Sequence, residues 1–569
     1  MNDYYAVMSI GPVQSFIAAA RKIEDLWSGS YLLSHLVETG MKVMTDHSRE
    51  YGVYDVEFIF PAVDFTATKE FEDVASLPNR FTVRLHGESE DIKRLLLGVQ
   101  QAMQEKITEL SKRAIQEMFG NYAKGIPEEM MQSQINNLLE VFWAIEEKTG
   151  TFEKDRKRLE KKLASVKNQR PVDTTVQFGP VCSVCGEREA LHDGDDIAER
   201  SIGEMNHVLR TFWARRLEVK KMGAPDIIKD GEHLCGVCLT KRHLRKDFQE
   251  QAKLENPQSS RQFERFRSIG DFISKGSKES EQRYYALLLI DGDNMGKHFS
   301  AADDEEGNRK LSKRLSAFAE GTVPNLVNDS YNGRLIYAGG DDVLAFFHID
   351  QVLDAGFDVR EAFAETMGND ATASGGIVIA HEKTPLNMVM KKLRAMEKKA
   401  KSYSHNDSKG NKQEKDAFAI SVMARGGEIR EVAYPWEFEN KNGERIRTTD
   451  VLSYLETSLN KEMSSTFLYR FGELFLPLLN HNMGNKVLEG HMKDELRDEL
   501  LRSELKRLVK RSLLVQLPKA EIEKMVEKKL DALQELERLA PSTLQFVHTL
   551  EILRFLSVKN HLEGKEDNQ

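Results

Sequence analysis

One short segment restricts the fold of this chain more than any other. Residues 337–347 read YAGGDDVLAFF, with apolar runs on either side of a Gly-Gly pair and two adjacent acidic residues. The pattern predicts a β-hairpin: a strand over 335–338, a turn at Gly339 and Gly340, and a return strand over 343–347. Glycine suits this turn because it adopts positive φ without steric cost and lets a ligand approach the backbone.

The acidic pair at the tip of this hairpin predicts a metal site. Asp341 and Asp342 would repel each other, and a bound divalent cation would remove that cost. A hard cation such as Mg²⁺ or Mn²⁺ prefers carboxylate oxygens together with the phosphate oxygens of a substrate. The alternative is a solvated turn. We expect Asp341 and Asp342 to be catalytic metal ligands, and Gly339 and Gly340 to lie beside a nucleotide.

A second acidic segment lies upstream and ends a predicted strand. Residues 284–297 read YYALLLIDGDNMGK, and the apolar run over 286–290 predicts a buried central strand. Asp291 would stand at its end, where we expect a third metal ligand, followed by nucleotide contacts from Gly292 and Asp293. Two strands that bring carboxylates together in this way are typical of nucleotidyl-transfer palms and nucleotide cyclases, in which metal ions act on a hydroxyl and a triphosphate.

The next predicted strand and helix extend the same domain. Residues 371–380 read ATASGGIVIA, and the small residues Ser374, Gly375 and Gly376 would let a base or ribose lie close to the strand. A helix begins near Thr384-Pro385, because proline is favoured in the first helical turn. Most lysines on its polar face predict a solvated surface, whereas we expect Lys401 to contact phosphate.

The four cysteines of the chain form two pairs that predict a zinc site. Cys182 and Cys185 are separated by two residues, as are Cys235 and Cys238. This spacing lets both thiolates of each pair reach one tetrahedral ion. Four thiolates leave no open coordination position, so we expect the Zn²⁺ to be structural. His233 is an alternative ligand that the spacing does not favour.

Composition excludes several classes of protein. The chain has 569 residues and 40% hydrophobic content, which is enough for several domains. No apolar run reaches the length of a membrane span, and the first residues lack the basic region of a secretory signal. The net charge of −10 argues against a protein that coats nucleic acid by charge alone. Paired cysteines indicate a reducing compartment, so we expect a cytoplasmic protein.

Beyond these motifs, the chain resembles the large palm-bearing subunit of type III CRISPR effector complexes, and is most similar to the type III-B branch. The ordered series of similar elements covers most of residues 1–430. The elements that carry the resemblance, besides the hairpin and the cysteine pairs, are Ser9–Ile17, Ala20–Lys22, Asp25–Ser30, Ile59–Pro61, Leu77–Phe81, Val141–Ala144 and Arg425–Glu428.

The resemblance implies an α+β architecture with two ferredoxin-like palms. We expect a first palm over 1–165 without catalytic carboxylates, a zinc knuckle and helical region over 166–280, a second palm over 281–430 with the GGDD hairpin, and a helical domain over 431–569. In the first palm, Gly11 to Gln14 and Ser28 to Ser30 are candidates for a second nucleotide pocket. A tight turn and a helix cap are the structural alternatives for these two segments.

The resemblance also implies partners and an activity. The partners are the other subunits of an RNA-guided antiviral complex, with guide RNA and target RNA. Many relatives carry an amino-terminal nuclease domain with a His-Asp signature. Because the chain begins at the palm and His192-Asp193 predicts a loop, we do not expect cleavage of DNA.

Three functions remain open from the sequence. The first is a metal-dependent nucleotidyltransferase that makes cyclic oligoadenylate from ATP when target RNA is bound. The second is the transfer of AMP from ATP to S-adenosylmethionine, as in some relatives, and the sequence does not distinguish the acceptor. The third is a non-catalytic scaffold that only binds nucleotide. A free-standing diguanylate cyclase is less favoured, because its hairpin would carry Glu-Phe where this chain has Asp342-Val343.

Overall fold

The computed structural model describes residues 1–63, 75–169, 177–220, 228–255, 268–276, 283–302, 304–368, 370–407, 410–440, 442–475 and 494–560. The chain divides into two compact units. The first unit comprises Met1–Ser268, Asn294–Pro324 and Ile336–Asp341. The second comprises Ile269–Asp293, Asn325–Leu335 and Asp342–Gln569.

The strands of the described residues are β1 (Asn2–Gly11), β2 (Asp55–Phe60), β3 (Arg80–Gly87), β4 (Glu140–Glu147), β5 (Tyr284–Gly292), β6 (Arg334–Gly339), β7 (Asp342–Phe347), β8 (Ala373–His381), β9 (Ser404–Asn406), β10 (Lys412–Glu414), β11 (Ala417–Met423), β12 (Ile429–Pro435), β13 (Glu437–Glu439) and β14 (Arg445–Arg447).

The α-helices of the described residues are α1 (Gln14–Ala18), α2 (Ile23–His47), α3 (Ser89–Phe119), α4 (Ile126–Asn136), α5 (Phe152–Asn168), α6 (Ile202–Ala214), α7 (Arg216–Lys220), α8 (Gly236–Glu255), α9 (Ile269–Gly276), α10 (Met295–Ala301), α11 (Glu305–Ala317), α12 (Val352–Met367), α13 (Leu386–Lys401), α14 (Thr448–Lys461), α15 (Thr466–Phe475), α16 (Asp494–Ser512), α17 (Lys519–Leu539) and α18 (Thr543–Asn560).

A four-stranded antiparallel sheet organises the first unit. Its strand order is β2-β3-β1-β4. With α2 between β1 and β2, and α3 between β3 and β4, it has the β-α-β-β-α-β connection of ferredoxin-like folds. Helix α3 buries apolar residues at helical spacing, among them Leu96, Val99 and Met103, and it packs against α2. The prediction of a first palm therefore agrees with the observed sheet.

The second sheet carries the predicted hairpin. Its order is β12-β11-β8-β5-β7-β6, so its last four strands repeat the order of the first sheet. β5 pairs antiparallel with both β7 and β8, whereas β8 and β11 are parallel. The run Leu287-Leu288 and Ile290 is fully buried, as expected of a central strand. Helix α13 packs on β8 and β11.

Two predicted boundaries need correction. The hairpin turn lies at Gly340 and Asp341, because β6 continues through Gly339 and β7 begins at Asp342. Gly340, with φ of +70°, is the turn glycine that needs left-handed backbone. The boundary expected at residue 430 falls inside β12, which pairs with β11 along its whole length. The sheet of the second palm therefore extends to Pro435.

The helical prediction for the carboxy-terminal region agrees with α14 to α18. Residues 441, 476–493 and 561–569 of this region lie outside the described residues. In the helices that the structure describes, no segment is long and apolar enough to cross a membrane.

Candidate active site

Asp291 and Asp342 stand on neighbouring strands at the same end of the second sheet. The register of β5 and β7 pairs Ile290 with Val343, and each aspartate is the next residue beyond that pair. Antiparallel pairing therefore places the two carboxylates opposite each other, at the separation of directly opposed side chains. Both side chains are partly exposed. Two of the three predicted metal ligands are thus brought together by strand register alone.

The third predicted ligand, Asp341, lies in the hairpin turn next to Asp342. Burial raises the pKa of Asp341 to about 6. A buried carboxyl group without a strong cationic partner keeps its proton to a higher pH. A divalent cation would reverse this effect by favouring the ionised form.

Lys401 contacts one of the predicted ligands, Asp291. It lies at the end of α13, and its ammonium forms an ion pair with Asp291 and a second one, at 3.3 Å, with Glu397. Burial and, to a lesser extent, the charge of Lys415 lower the pKa of Lys401 to about 8. The sequence predicted a phosphate contact for this lysine, and the structure places its ammonium against the Asp291 carboxylate.

Asp293 and Ser374 have internal partners. The carboxylate of Asp293 is 1% exposed and accepts hydrogen bonds from Thr372 Oγ1 at 3.0 Å and Ser374 Oγ at 2.9 Å. It also accepts the backbone N–H of Asp416 at 3.1 Å. These bonds hold the ends of β5, β8 and β11 together. The sequence predicted nucleotide contacts for both residues, but their side chains already serve this buried network.

The glycines of β8 are explained by close packing. A Cβ at Gly376 would lie 2.6 Å from the backbone of both Leu393 and Glu397 in α13. A Cβ at Gly375 would lie 3.1 Å from the Trp436 ring. Gly292, which ends β5 opposite Ala373, is also buried. The sequence predicted that a base or ribose would lie against Gly375 and Gly376. In the structure, the Trp436 ring and helix α13 occupy that space.

Two further basic residues near the site were missed by the sequence analysis. Arg394 lies on α13, and burial lowers its pKa. The negative charge of the nearby Asp342 acts in the opposite direction. Lys415 acts electrostatically on both Lys401 and Asp293. Its one sequence signal is its position at the end of the polar stretch 402–415, directly before the apolar run that begins at Ala417.

Lys415 is held in an unusual backbone conformation. Lys415 and Asp416 are both left-handed, with φ of 63° and 46°. Such conformations cost on the order of 1–3 kcal/mol in non-glycine residues and persist only where surrounding contacts impose them. Here Asp416 accepts a hydrogen bond from Arg360 Nε at 2.8 Å, and its carbonyl accepts the N–H of Trp436 at 3.0 Å. Both contacts fix the backbone at Lys415, whose charge acts on Lys401 and Asp293.

Asp291 and Asp342 offer the donor type of a hard divalent cation, although among the described residues the three aspartates do not form a group whose oxygens could all reach one ion. Carboxylate oxygens are the ligands that Mg²⁺ and Mn²⁺ prefer, and Mg²⁺ commonly uses one or two of them together with substrate phosphates. The ion pair of Lys401 with Asp291 indicates that a positive charge is accommodated there. Lys401, Lys415 and Arg394 supply further positive charge for an anionic ligand.

A separate cluster in the first unit joins the four cysteines. One sulfur atom from each of Cys182, Cys185, Cys235 and Cys238 lies within 4.8 Å of the other three. The Cys182 and Cys235 sulfurs accept the N–H of Val184 and Cys238, each at 3.4 Å. This geometry fits one tetrahedral ion with thiolate ligands. In the described residues, the metal-competent group consists of these cysteines and does not include His233.

The His-Asp dipeptide has structural partners, as the sequence analysis expected. His192 is 3% exposed, and its Nε2 lies 3.0 Å from the Glu189 carboxylate. Asp193 forms an ion pair with Arg215.

Two family models match this chain. The model for the second palm domain of Cas10/Cmr2 matches residues 284–410, and the model for the amino-terminal region of the CRISPR-associated protein Cmr2 matches residues 5–118. The first of these ranges contains the facing aspartates and Lys401. The second palm and the amino-terminal region of this chain are therefore similar to those of Cas10/Cmr2.

Characterised Cas10/Cmr2 relatives agree with this similarity. The Cmr2 subunit of the Cmr system of Pyrococcus furiosus is 24% identical over 76% of this chain and 62% of its own length. This chain therefore spans less than two thirds of that relative. A Cas10/Csm1 protein of subtype III-A from Mycobacterium tuberculosis, described as a single-strand-specific deoxyribonuclease, is 28% identical over 24% of this chain and 19% of its own length.

Solved structures of type III-B Cmr-beta have the same fold. A cryo-EM structure bound to cognate target RNA gives a TM-score of 0.62 at 15% identity, covering 98% of this chain and 83% of the matched chain. The apo state of Cmr-beta gives 0.61 at 14% identity, covering 98% and 82%. At this level of identity the similarity concerns the Cas10/Cmr2 fold.

Proposed function

We propose that this chain is a metal-dependent nucleotidyltransferase of a type III CRISPR effector complex, and that it makes cyclic oligoadenylate from ATP when target RNA is bound. The observation that carries the proposal is the opposed placement of Asp291 and Asp342 at one end of a palm sheet. The match of residues 284–410 to the second palm domain of Cas10/Cmr2 supports it.

Asp291, Asp341 and Asp342 are the residues that would hold Mg²⁺ or Mn²⁺. Bound there, the metal would supply electrostatic stabilisation of the triphosphate and activation of an attacking hydroxyl. At Gly340 a Cβ would meet no heavy atom within 4 Å, so a nucleotide could approach the backbone there. Gly339 is covered by the ring of Tyr337, whose hydroxyl donates to the Gly339 carbonyl at 3.3 Å.

The basic residues around the acidic pair would bind the triphosphate of ATP. Lys401 would exchange its ion pair with Asp291 for a phosphate oxygen, and Glu397 would keep its ammonium within reach. Arg394 provides a second cation near Asp342, and Lys415 provides a third near Lys401. In this proposal Asp293, Ser374, Gly375 and Gly376 support the site from within the fold, and Gly292 links Asp291 to that support.

The four cysteines would hold a structural Zn²⁺. Because all four ligands are thiolates, no position remains open for substrate, and the ion would contribute to folding of the module. Metal analysis of protein purified without chelator is expected to find about one zinc per chain for these four thiolates. A zinc-free preparation with native stability would contradict this part of the proposal.

We further propose that the chain works together with other effector subunits, guide RNA and target RNA. A net charge of −10 does not favour coating of RNA by this chain itself. Target recognition would therefore reach the palm through neighbouring subunits that hold the RNA. The isolated subunit is expected to have little activity, and turnover by the subunit alone that is unaffected by guide and target RNA would contradict this.

The assembled complex with labelled ATP tests the proposed function. Reactions contain Mg²⁺ or Mn²⁺, with or without target RNA, and with or without S-adenosylmethionine, and products are identified by mass spectrometry. Cyclic oligoadenylate that requires metal and target RNA is the expected product. A product that requires S-adenosylmethionine would keep the nucleotidyl transfer and change the acceptor. ATP that binds and remains unchanged under every condition would favour a scaffold and overturn the proposal.

A further inference from the structure

Helix α8 places a buried lysine against the first palm. Lys241 is 1% exposed, and its ammonium donates hydrogen bonds to the backbone carbonyl oxygens of Phe16 at 2.7 Å and Ala19 at 2.9 Å. These carbonyls lie at the end of the short helix α1. The last carbonyls of a helix lack intrahelical partners, and a cation beside them is stabilising. Lys241, on α8, therefore caps the carboxyl end of α1.

The next residue, Arg242, anchors the start of α2. Its guanidinium makes two hydrogen bonds with Asp25, one of them from Nη2 at 3.0 Å, and a further bond to Glu232 at 2.9 Å. Asp25 also accepts the backbone N–H groups of Arg21 at 2.8 Å and Lys22 at 3.0 Å. The carboxylate thus caps the amino terminus of α2 while it is held by α8. One turn further along α8, the Arg245 guanidinium carbon lies 4.8 Å from the centre of the Trp27 ring.

Helix α8 itself begins in the cysteine cluster. Cys235 directly precedes its first residue, Cys238 lies in its first turn, and Lys241 follows three residues later. The backbone N–H of Gly236 donates to Gln134 Oε1 at 2.7 Å. A metal ion on the four thiolates would fix the two cysteines and so the position of the first turn of α8. The anchors to the first palm lie within the next two turns of the same helix.

Gly29 shows how closely the first palm fits this lysine. A Cβ at Gly29 would lie 3.0 Å from Lys241 Cε, 3.1 Å from its Nζ and 3.3 Å from the Cα of Ile17. These separations are shorter than ordinary van der Waals contact. The lysine, α1 and α2 therefore form one packed contact, and movement of α8 would disturb the whole segment from Gln14 to Ser30.

We propose that the four-cysteine module has a second role as the support of this first-palm segment, defined as residues 14–30. Through Lys241 and Arg242, metal loading of the cysteines would determine whether the segment is ordered. The proposal rests on the assignment of a metal to the cysteines and is independent of the nucleotidyl transfer proposed for the second palm. It accounts for the burial of Lys241 and Arg242, which follow Cys238 by three and four residues in α8.

Hydrogen–deuterium exchange of the full chain tests this support role. The exchange of peptides over 14–30 is compared in zinc-loaded protein, chelator-treated protein and the variants Lys241→Met and Gly29→Ala. Lys241→Met keeps roughly the length of the side chain and removes the ammonium group, with its hydrogen bonds to Phe16 and Ala19 and its contact with the Phe16 ring. Lys112→Met, on the exposed face of α3, is the matched control. Zinc content is measured on every sample.

The expected result is exchange over 14–30 that is roughly tenfold faster after chelation and in Lys241→Met, with the Lys112→Met variant unchanged. Zinc content in Lys241→Met should stay at the wild-type value, which separates loss of the anchor from loss of the metal. If Lys241→Met does not fold, Gly29→Ala tests the same contact from the opposite side. Faster exchange confined to 182–191 and 233–240 after chelation, with 14–30 unchanged in both variants, would overturn the proposal.

Discussion

Asp291 and Asp342 face each other across two adjacent antiparallel strands, each one residue beyond the paired residues Ile290 and Val343. Their placement follows from strand register, which a slip of one residue would destroy by turning a carboxylate to the other face of the sheet. The positions of Asp291 and Asp342 are therefore as well defined as the sheet itself. Lys401, which pairs with Asp291, belongs to the helix that packs on that sheet.

Metal affinity is expected to depend on pH through Asp341. Its folded pKa is raised from 3.8 to about 6, so the folded state binds more protons than the unfolded state between these values. For this group, stability decreases as pH rises through that range, whereas metal binding, which needs the ionised form, strengthens. Mn²⁺ titration at pH 5 and 7.5 should show weaker binding at pH 5. Asp341→Asn should reduce this difference, and equal pH dependence in both proteins would contradict the assignment.

Gly376→Ala is expected to damage both stability and activity. The new methyl group would lie 2.6 Å from backbone atoms of α13, which cannot move as a flexible side chain would. Overpacking of this kind costs about 1–3 kcal/mol and would shift the helix that carries Arg394 and Lys401. A lower unfolding temperature together with a loss of ATP turnover is expected. Gly426→Ala is the control, because a Cβ added at Gly426 would meet no heavy atom within 4 Å. Equal behaviour of the two variants would refute this account.

Lys529 is expected to stabilise the carboxy-terminal helices. It is fully buried in α17, donates to Ser458 Oγ at 2.8 Å and forms an ion pair with Glu462. Because Glu462 remains 35% exposed, Lys529→Ala should cost about 2 kcal/mol, less than the breaking of a fully buried pair. Urea unfolding measures this loss, with Lys524→Ala on an exposed position of the same helix as control. A Lys529→Ala midpoint equal to that of the control would contradict the prediction.

Local patterns in the sequence were sufficient for much of the fold and for the acidic residues. The strand ending at Asp291 and the hairpin at Gly340 depend on apolar runs and turn residues, which are contiguous in the chain. The convergence of the four cysteines was equally predictable, because a two-residue gap lets both thiolates of a pair face one point, and the four sulfur atoms do lie together. The helical character of the carboxy-terminal region was also predictable, since the buried apolar residues of α17 keep helical spacing.

Contacts between segments that are distant in the chain could not be predicted from local sequence patterns. The small residues Gly375 and Gly376 were interpreted as a nucleotide approach, but α13 and Trp436 occupy that space. The left-handed backbone at Lys415 results from tertiary contacts of Asp416, and neither residue type signals it. Glu305 accepts a hydrogen bond from Tyr5, 300 residues away in the chain, and no local pattern pairs them.

Pyrophosphate release from ATP by the assembled complex tests the central claim most directly. Wild-type protein, Asp291→Asn and Asp342→Asn are compared with Asp350→Asn, whose side chain is exposed and away from the two strand ends. Assembly and ATP binding are measured on the same samples. Loss of a carboxylate from the metal site is expected to lower turnover on the order of a thousandfold, with assembly and the Asp350→Asn control unaffected. Wild-type turnover by either Asp291→Asn or Asp342→Asn would contradict catalysis at these residues.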